Sequence, residues 1–251
     1  MTDSKTIAMV TGASSGLGLE YCRQLAERCD VILAVARREE RLEELSGELS
    51  GVELHPVVAD LATVEGVAHC MEMLRQKGPV DILVNNAGYS PYGYFSTAPI
   101  EQQRGMLSLH CDATITLCRA AIPFMRERGG GSIVNVSSLG SFLPGAGLAV
   151  YGATKAFINY FSQSLQAEVQ RDRIEVQVLC PGLVRTEIHD AMRGQGFDPA
   201  SFPEEMWMDS AEVVAASLAV LGSGQQLVIP GAGNRDLARS GAQALLDALP
   251  E

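Results

Sequence analysis

The chain has 251 residues, 47% of them apolar, and a formal net charge of −11. That apolar share is enough for a large core covered on two sides, and α/β units of this length often stay single. No apolar run approaches the ~18 residues of a membrane-spanning helix, and an acidic chain without a basic stripe is not built for nucleic acid.

The amino-terminal stretch "MTDSKTIAMVTG" lacks the basic, apolar and small-residue order of a signal peptide and enters a first strand at 6–10. A cytoplasmic location is the expectation. Next comes "TGASSGLG", residues 11–18, and then a helical pattern over 17–28. A strand, a glycine-rich turn and a helix in that order put free N–H groups and a favourable dipole where a pyrophosphate can bind. Gly12 permits the tight turn, and Gly16 and Gly18 permit close approach. Alone, the same pattern is equally an ordinary strand–helix turn. A second strand, 31–35, runs into "AVARREE", and a helix is predicted over 39–49. The third strand, 54–58, leads to Asp60 before "LATVEG", where an aspartate also suits a helix cap. After a helix over 64–76 comes a fourth strand, 81–84, followed by "NNAG" at 85–88 and the aromatic run "YSPYGYF".

A long helix over 101–126, a fifth strand at 132–137, Ser138, a helix over 151–171 and a sixth strand at 175–180 follow, then "PGLVRT". Residues 183–209 have no strand pattern but several glycines and prolines, as expected of a lid beyond a strand's carboxyl end. A last strand, 226–229, precedes an amphipathic helix over 234–249. Continuous apolar strands separated by helices predict an α/β fold, with a doubly wound parallel sheet of seven strands covered on both faces, in a single domain over 1–251. The six cysteines, Cys22, Cys29, Cys70, Cys111, Cys118 and Cys180, form no CxxC pair and read as buried free thiols of a reducing compartment. No metal site is expected.

In "YGATKAF", Tyr151 and Lys155 stand four positions apart and share a helix face. A phenol titrates near pH ~10 and is a poor base at neutrality, but a nearby ammonium stabilises its phenolate. Ser138 lies thirteen positions before Tyr151. The glycine turn, "NNAG", Ser138, Tyr151 with Lys155, and "PGLVRT", in this order, resemble the short-chain dehydrogenase/reductase family from residue 7 to about residue 229. The tail more weakly resembles the branch of 3-oxoacyl reductases and hydroxysteroid dehydrogenases.

That resemblance implies a Rossmann-type fold and a role for each motif. Ser14, Ser15 and Leu17 would join Gly12, Gly16 and Gly18 in holding a dinucleotide. Asp60 and Leu61 would meet the adenine. Asn86 would fix the central sheet or the ribose, with Ala87 and Gly88 giving the cofactor room. Pro181 and Gly182 would turn beneath the nicotinamide, and Val184 and Thr186 would hold its carboxamide. Tyr151 would exchange a proton with the substrate oxygen, Ser138 would hydrogen-bond that oxygen, and Lys155 would stabilise the phenolate and hold the ribose with Tyr151. NAD-preferring relatives place an acid where this chain has Ala36; here Arg37 and Arg38 follow, and with Ser14 they suit a 2′-phosphate, so NADP(H) is the expected cofactor. The resemblance implies an asparagine about where this chain has His110, holding a water on a proton path to Lys155; a neutral imidazole is expected to substitute for it as a relay, the alternatives being a broken relay with slow catalysis or a ring that merely packs the helix.

The lid residues Ile188, Met192, Phe197, Phe202, Met206, Trp207 and Met208, with Tyr89, Tyr92, Tyr94, Phe95, Phe142 and Leu143, suggest a pocket for a small hydrophobic carbonyl or alcohol. The equal alternative is that half of them simply pack the lid down, and His189 reads as a solvated lid residue. The resemblance implies a homodimer or homotetramer through the helices at 101–126 and 151–171. The reading is a reductase of a hydrophobic ketone or 3-oxoacyl-type substrate. The alternatives are an isomerase or dehydratase using the same tyrosine, or a cofactor-binding regulatory protein with little turnover, against which the intact Ser138–Tyr151–Lys155 set argues.

Overall fold

The computed structural model describes residues 5–193 and 196–250. Seven parallel strands form one sheet in the order β3-β2-β1-β4-β5-β6-β9: β1 Ile7–Thr11, β2 Val31–Ala36, β3 Glu53–Val58, β4 Ile82–Asn85, β5 Gly131–Val136, β6 Ile174–Leu179 and β9 Leu227–Val228. The central strands are apolar without alternation because both faces are covered. In β1, Ile7 and Met9 pack into one core, with α3 (Val64–Lys77), α5 (Ala113–Arg128) and α6 (Ala149–Val169). Ala8 and Val10 face the other core, with α1 (Gly16–Leu25), α2 (Glu39–Glu48) and α8 (Ser210–Ala219). The expected fold class and all seven expected strands are present. The helix α8, absent from the sequence reading, starts at a reciprocal capping box between Asp209 and Glu212.

The strand order reverses between β1 and β4, so their carboxyl ends open the crevice in which such sheets bind ligands. Two departures from expectation lie beside it. The long helix expected at 101–126 is three pieces: α4 (Ile100–Met106), a π-helical segment Leu107–Asp112, and α5. π-segments carry wider backbone spacing and occur often at functional sites; this one carries His110. The lid, expected to hold no strand, is pinned at its base by a two-residue parallel ladder, β7 (Leu183–Val184) with β8 (Trp207–Met208), with α7 (Glu187–Arg193) between them. The two strands are too short to produce a periodic signal. The carboxyl-terminal helix, α9, spans Ala232–Asp247 and packs through Gly241 over Phe142 and Leu143. Among the described residues no helix is long and apolar enough to cross a membrane.

Candidate active site

The floor of the crevice begins where β1 and β4 are tied together. The Asn86 side-chain amide donates to the Thr11 carbonyl at 2.9 Å. The N–H groups of Asn86 and Ala87 donate to Thr11 Oγ1 at 2.9 and 3.0 Å. Asn86 thereby ties β4 to β1. Gly12 turns the chain at φ +71°, and a side chain at Gly18 would place its Cβ 2.2 Å from the Gly12 carbonyl oxygen. The turn is thus closed by backbone packed directly on backbone.

Beyond the turn, Ser15 caps α1 in extended conformation without a side-chain capping bond, and the first turn of α1 has no acid. By contrast, α2 opens with Glu39 and Glu40, and α3 has Glu65 and a capping Thr63. The α1 terminus keeps its N–H groups and positive dipole end for an anion, which fits a dinucleotide pyrophosphate. Asp60 is not the cap of α3, since Thr63 takes that role; Asp60 Oδ1 instead accepts from the Ala62 N–H at 3.0 Å. Leu61 is buried beside it, and Gly88 is open to solvent at the mouth of the crevice.

β2 ends at the buried, neutral Ala36. Of the two arginines that follow, Arg38 folds back onto the glycine turn, donating from Nε and Nη2 to Ser14 Oγ at 3.2 and 3.0 Å. Arg37 is exposed and lies near Tyr89: burial raises the Tyr89 phenol, the Arg37 charge lowers it, and Asp60 raises it. A neutral strand end flanked by two guanidiniums and a hydroxyl fits a phosphorylated ribose.

The reacting end is built from β5 and α6. Ser138 follows β5, and its Oγ accepts from the Gly140 N–H at 3.1 Å. Ser141 Oγ donates to the Ser138 carbonyl at 2.6 Å, and Asn159 Nδ2 donates to Ser141 Oγ at 2.7 Å. The Leu139 N–H donates to the Pro181 carbonyl at 2.7 Å, joining the serine loop to the Pro181–Gly182 turn. One turn of α6 is held from below by Ser137, whose Oγ donates to the Lys155 carbonyl at 2.8 Å. A wholly buried chain, Asn85 to Asn135 (2.8 Å) to Ser162 (2.8 Å), runs across β4, β5 and α6. Sequence reasoning missed Asn85, Asn135, Ser137, Ser141, Asn159 and Ser162. The available signal was a polar residue inside an apolar strand, as in "SIVNVSS", since a buried amide needs a buried partner.

Tyr151, Ser138 and Lys155 are brought together. Burial raises the Tyr151 phenol, and its hydrogen bond to Ser138 acts in the opposite direction. Lys155 is 6% exposed, and its Nζ donates to the Val136 carbonyl at 2.9 Å, 5.7 Å from the centre of the Tyr151 ring. Burial pushes the Lys155 ammonium down to about 8, against small opposing contributions from Cys180 and Cys111. Burial is thus the largest influence on the Tyr151 phenol, while the Lys155 ammonium is shared with the Val136 carbonyl and lowered by the same burial.

His110 is 2% exposed. Its Nε2 accepts from the Tyr89 N–H at 3.2 Å, and its Nδ1 lies 2.9 Å from Thr154 Oγ1. Thr154 Oγ1 donates onward to the Tyr151 carbonyl at 2.8 Å, so Nδ1 carries the proton. Burial, then the Lys155 charge, holds the imidazole well below its usual value. Both ring nitrogens have protein partners, so His110 joins the segment after "NNAG" to the helix carrying Tyr151.

The lid is a cluster of rings. Phe197 stacks on Phe202 with centroids 5.4 Å apart and meets Tyr92 at 6.0 Å. His189 packs on Trp207 at 5.0 Å and gives Nδ1 to the Val184 carbonyl at 2.8 Å, so it is not the solvated residue expected. Val184 itself is a buried core residue. Thr186 rests against Gly16. Tyr94 and Phe95 are 70% and 59% exposed, while the Tyr89 hydroxyl is used on the Gln102 carbonyl. A cleft of about 930 Å³ between the glycine turn and the outer side of the lid is lined by Ser14, Ser15, Thr186, Glu187, Arg185 and Trp207 among others, and does not include Tyr151.

The short chain dehydrogenase family model matches residues 6–195. A solved short-chain dehydrogenase from Sphingobium yanoikuyae in complex with NADPH is 33% identical, with a TM-score of 0.84 over 98% of this chain and 97% of that one. The bulky-bulky ketone specific alcohol dehydrogenase from Comamonas testosteroni is 30% identical, with a TM-score of 0.80 over 98% and 95%. The very-long-chain 3-oxoacyl-CoA reductase of Anas platyrhynchos is 34% identical over 72% of this chain and 60% of its own length.

Proposed function

The chain belongs to the short-chain dehydrogenase family, and from that premise we propose that it is an NADP(H)-dependent oxidoreductase that reduces a hydrophobic ketone or 3-oxoacyl-type carbonyl, or oxidises the corresponding alcohol. The observation that carries the reading is the meeting of Tyr151, Ser138 and the buried Lys155 at the crevice. Ser14, Arg38 and Arg37 would hold the phosphorylated ribose, the α1 terminus the pyrophosphate, and the Pro181–Gly182 turn the nicotinamide. When bound, the cofactor supplies a hydride to the carbonyl carbon. Ser138 Oγ donates a hydrogen bond to the substrate oxygen and fixes its position. Tyr151 gives its hydroxyl proton to that oxygen, and the Lys155 ammonium stabilises the phenolate left behind. In the oxidative direction Tyr151 takes the proton back.

The ring cluster of the lid and the name of the Comamonas relative support a bulky apolar substrate. We also propose pairing of subunits through α4–α5 and α6, whose outward faces expose Leu107, Ile115, Phe157 and Tyr160, and a cytoplasmic location. A panel of small, bulky and 3-oxoacyl carbonyls, followed by loss of NADPH absorbance, tests the activity. Turnover of at least one bulky member is expected, and no NADPH oxidation with any of them would overturn the reading.

A further inference from the structure

The donors assigned above to the cofactor's phosphates have an occupant within the chain. Glu187, the first residue of the lid helix α7, places Oε2 3.0 Å from Arg38 Nη2, while the same guanidinium bonds Ser14. The Glu187 carboxyl is held below its usual range first by Arg38 and also by a hydrogen bond with Ser15, the N-cap residue of α1, whose side chain makes no capping bond. Thr186, its neighbour, sits on Gly16. The lid is therefore docked on the glycine turn by a carboxylate placed on the donors that an incoming phosphate needs.

We infer that Glu187 is an internal counter-anion for Arg38, which the 2′-phosphate of NADP(H) must displace, so that cofactor binding and release of the lid from the glycine turn are one exchange. The inference rests on the NADP(H) reading above. NAD(H), without the 2′-phosphate, has nothing to exchange for the carboxylate on Arg38. Glu187 thereby lowers the affinity for the phosphorylated cofactor while coupling it to the lid. The ion pair is 43% and 55% exposed on its two side chains, so the effect is modest, about two- to fivefold in Kd.

Direct binding of NADPH and NADH, by calorimetry without substrate, separates the possibilities in the parent, Glu187→Gln, Arg38→Ala and the double variant. The expected result is that Glu187→Gln tightens NADPH about two- to fivefold, leaves NADH within about twofold, and does nothing in the Arg38→Ala background. Unchanged or weaker NADPH binding in Glu187→Gln overturns the inference, as does an equal gain for both cofactors or a gain that survives Arg38→Ala. Equal affinity of the parent for NADPH and NADH would instead remove the NADP(H) reading on which it stands.

Discussion

The catalytic floor and the lid lie a few residues apart in sequence, at Pro181 and Leu183, yet they are held by different physics. The floor is fixed by short hydrogen bonds of buried and part-buried side chains, to backbone or to one another: Ser137 to Lys155, Ser141 to Ser138, Asn159 to Ser141, Asn85 to Asn135. Each such bond is costly to break, because the partner is left unsatisfied away from water. The lid is fixed by ring contacts, a two-residue ladder and surface ion pairs, Arg185 with Glu204 and Asp209 and Arg38 with Glu187. Exposed pairs contribute little each. On the proposed mechanism, a rigid floor would keep proton donor and substrate oxygen in register, while a lid held by weak contacts would adapt to substrates and move with the cofactor.

The strongest way to break this contrast is Tyr151→Phe. It should lower turnover by about 10²–10⁴-fold while leaving NADPH binding measured without substrate close to the parent's, because only the proton donor is lost. Substantial residual turnover would move the proton chemistry elsewhere. Asn159→Ala, two hydrogen bonds from Ser138 by way of Ser141, should lower kcat by roughly ten- to a hundredfold with little change in KM, since it loosens the serine loop without touching substrate; an effect confined to KM would contradict the positioning role.

Lys155 sharpens the comparison through stability. Its folded value near 8 lies below the unfolded 10.5. Between the two, the unfolded chain binds a proton that the folded chain does not, so stability rises with pH across that window, and the full penalty is present below it. That penalty is on the order of 3 kcal/mol. Lys155→Met should lose activity yet melt higher at pH 7, even after about 1 kcal/mol is lost at the unpartnered Val136 carbonyl. In the parent, carbonyl reduction should weaken as pH rises through about 8 and Lys155 loses its charge. A lower melting point for Lys155→Met would contradict the account.

His110 is a smaller test. Its folded value is depressed, so the unfolded chain binds the extra proton below pH ~6.5 and stability falls there as acid is added. His110→Ala should remove that acid dependence, cost about 1–3 kcal/mol through the unpaired Tyr89 N–H, and leave no inflection lost from the activity profile between pH 6.5 and 9. Smallest of all, Arg185→Ala should change stability by less than about 1 kcal/mol, read by thermal melting.

The difference between the regions also governs how legible they were. The strands and the glycine turn could be read from sequence because each demands particular residue types at fixed intervals, and Ser138 with Tyr151 and Lys155 could be read through the resemblance to the short-chain dehydrogenases. Asn159 and Ser141 were not visible, since their meeting is produced by the packing of α6 on the serine loop and by no spacing along the chain. His110 was singled out, but its occupied nitrogens depend on where Tyr89 and Thr154 fall in three dimensions. In the lid, the apolar residues announced a cluster, while the ladder between Leu183–Val184 and Trp207–Met208 was too short to detect. The exposure of Tyr94 and Phe95 could not be read from composition, because apolar residues are common on surfaces.

The central claim, that the floor carries the chemistry and the lid the choice of substrate, is tested most directly by kcat/KM for one bulky and one small ketone in the parent, Asn159→Ala and Phe197→Ala. Asn159→Ala should lower both values by the same factor and preserve their ratio. Phe197→Ala, which empties the centre of the ring cluster, should shift the ratio by about three- to tenfold with little change in kcat for the small ketone. A shifted ratio in Asn159→Ala, or an unchanged one in Phe197→Ala, would contradict that division of labour.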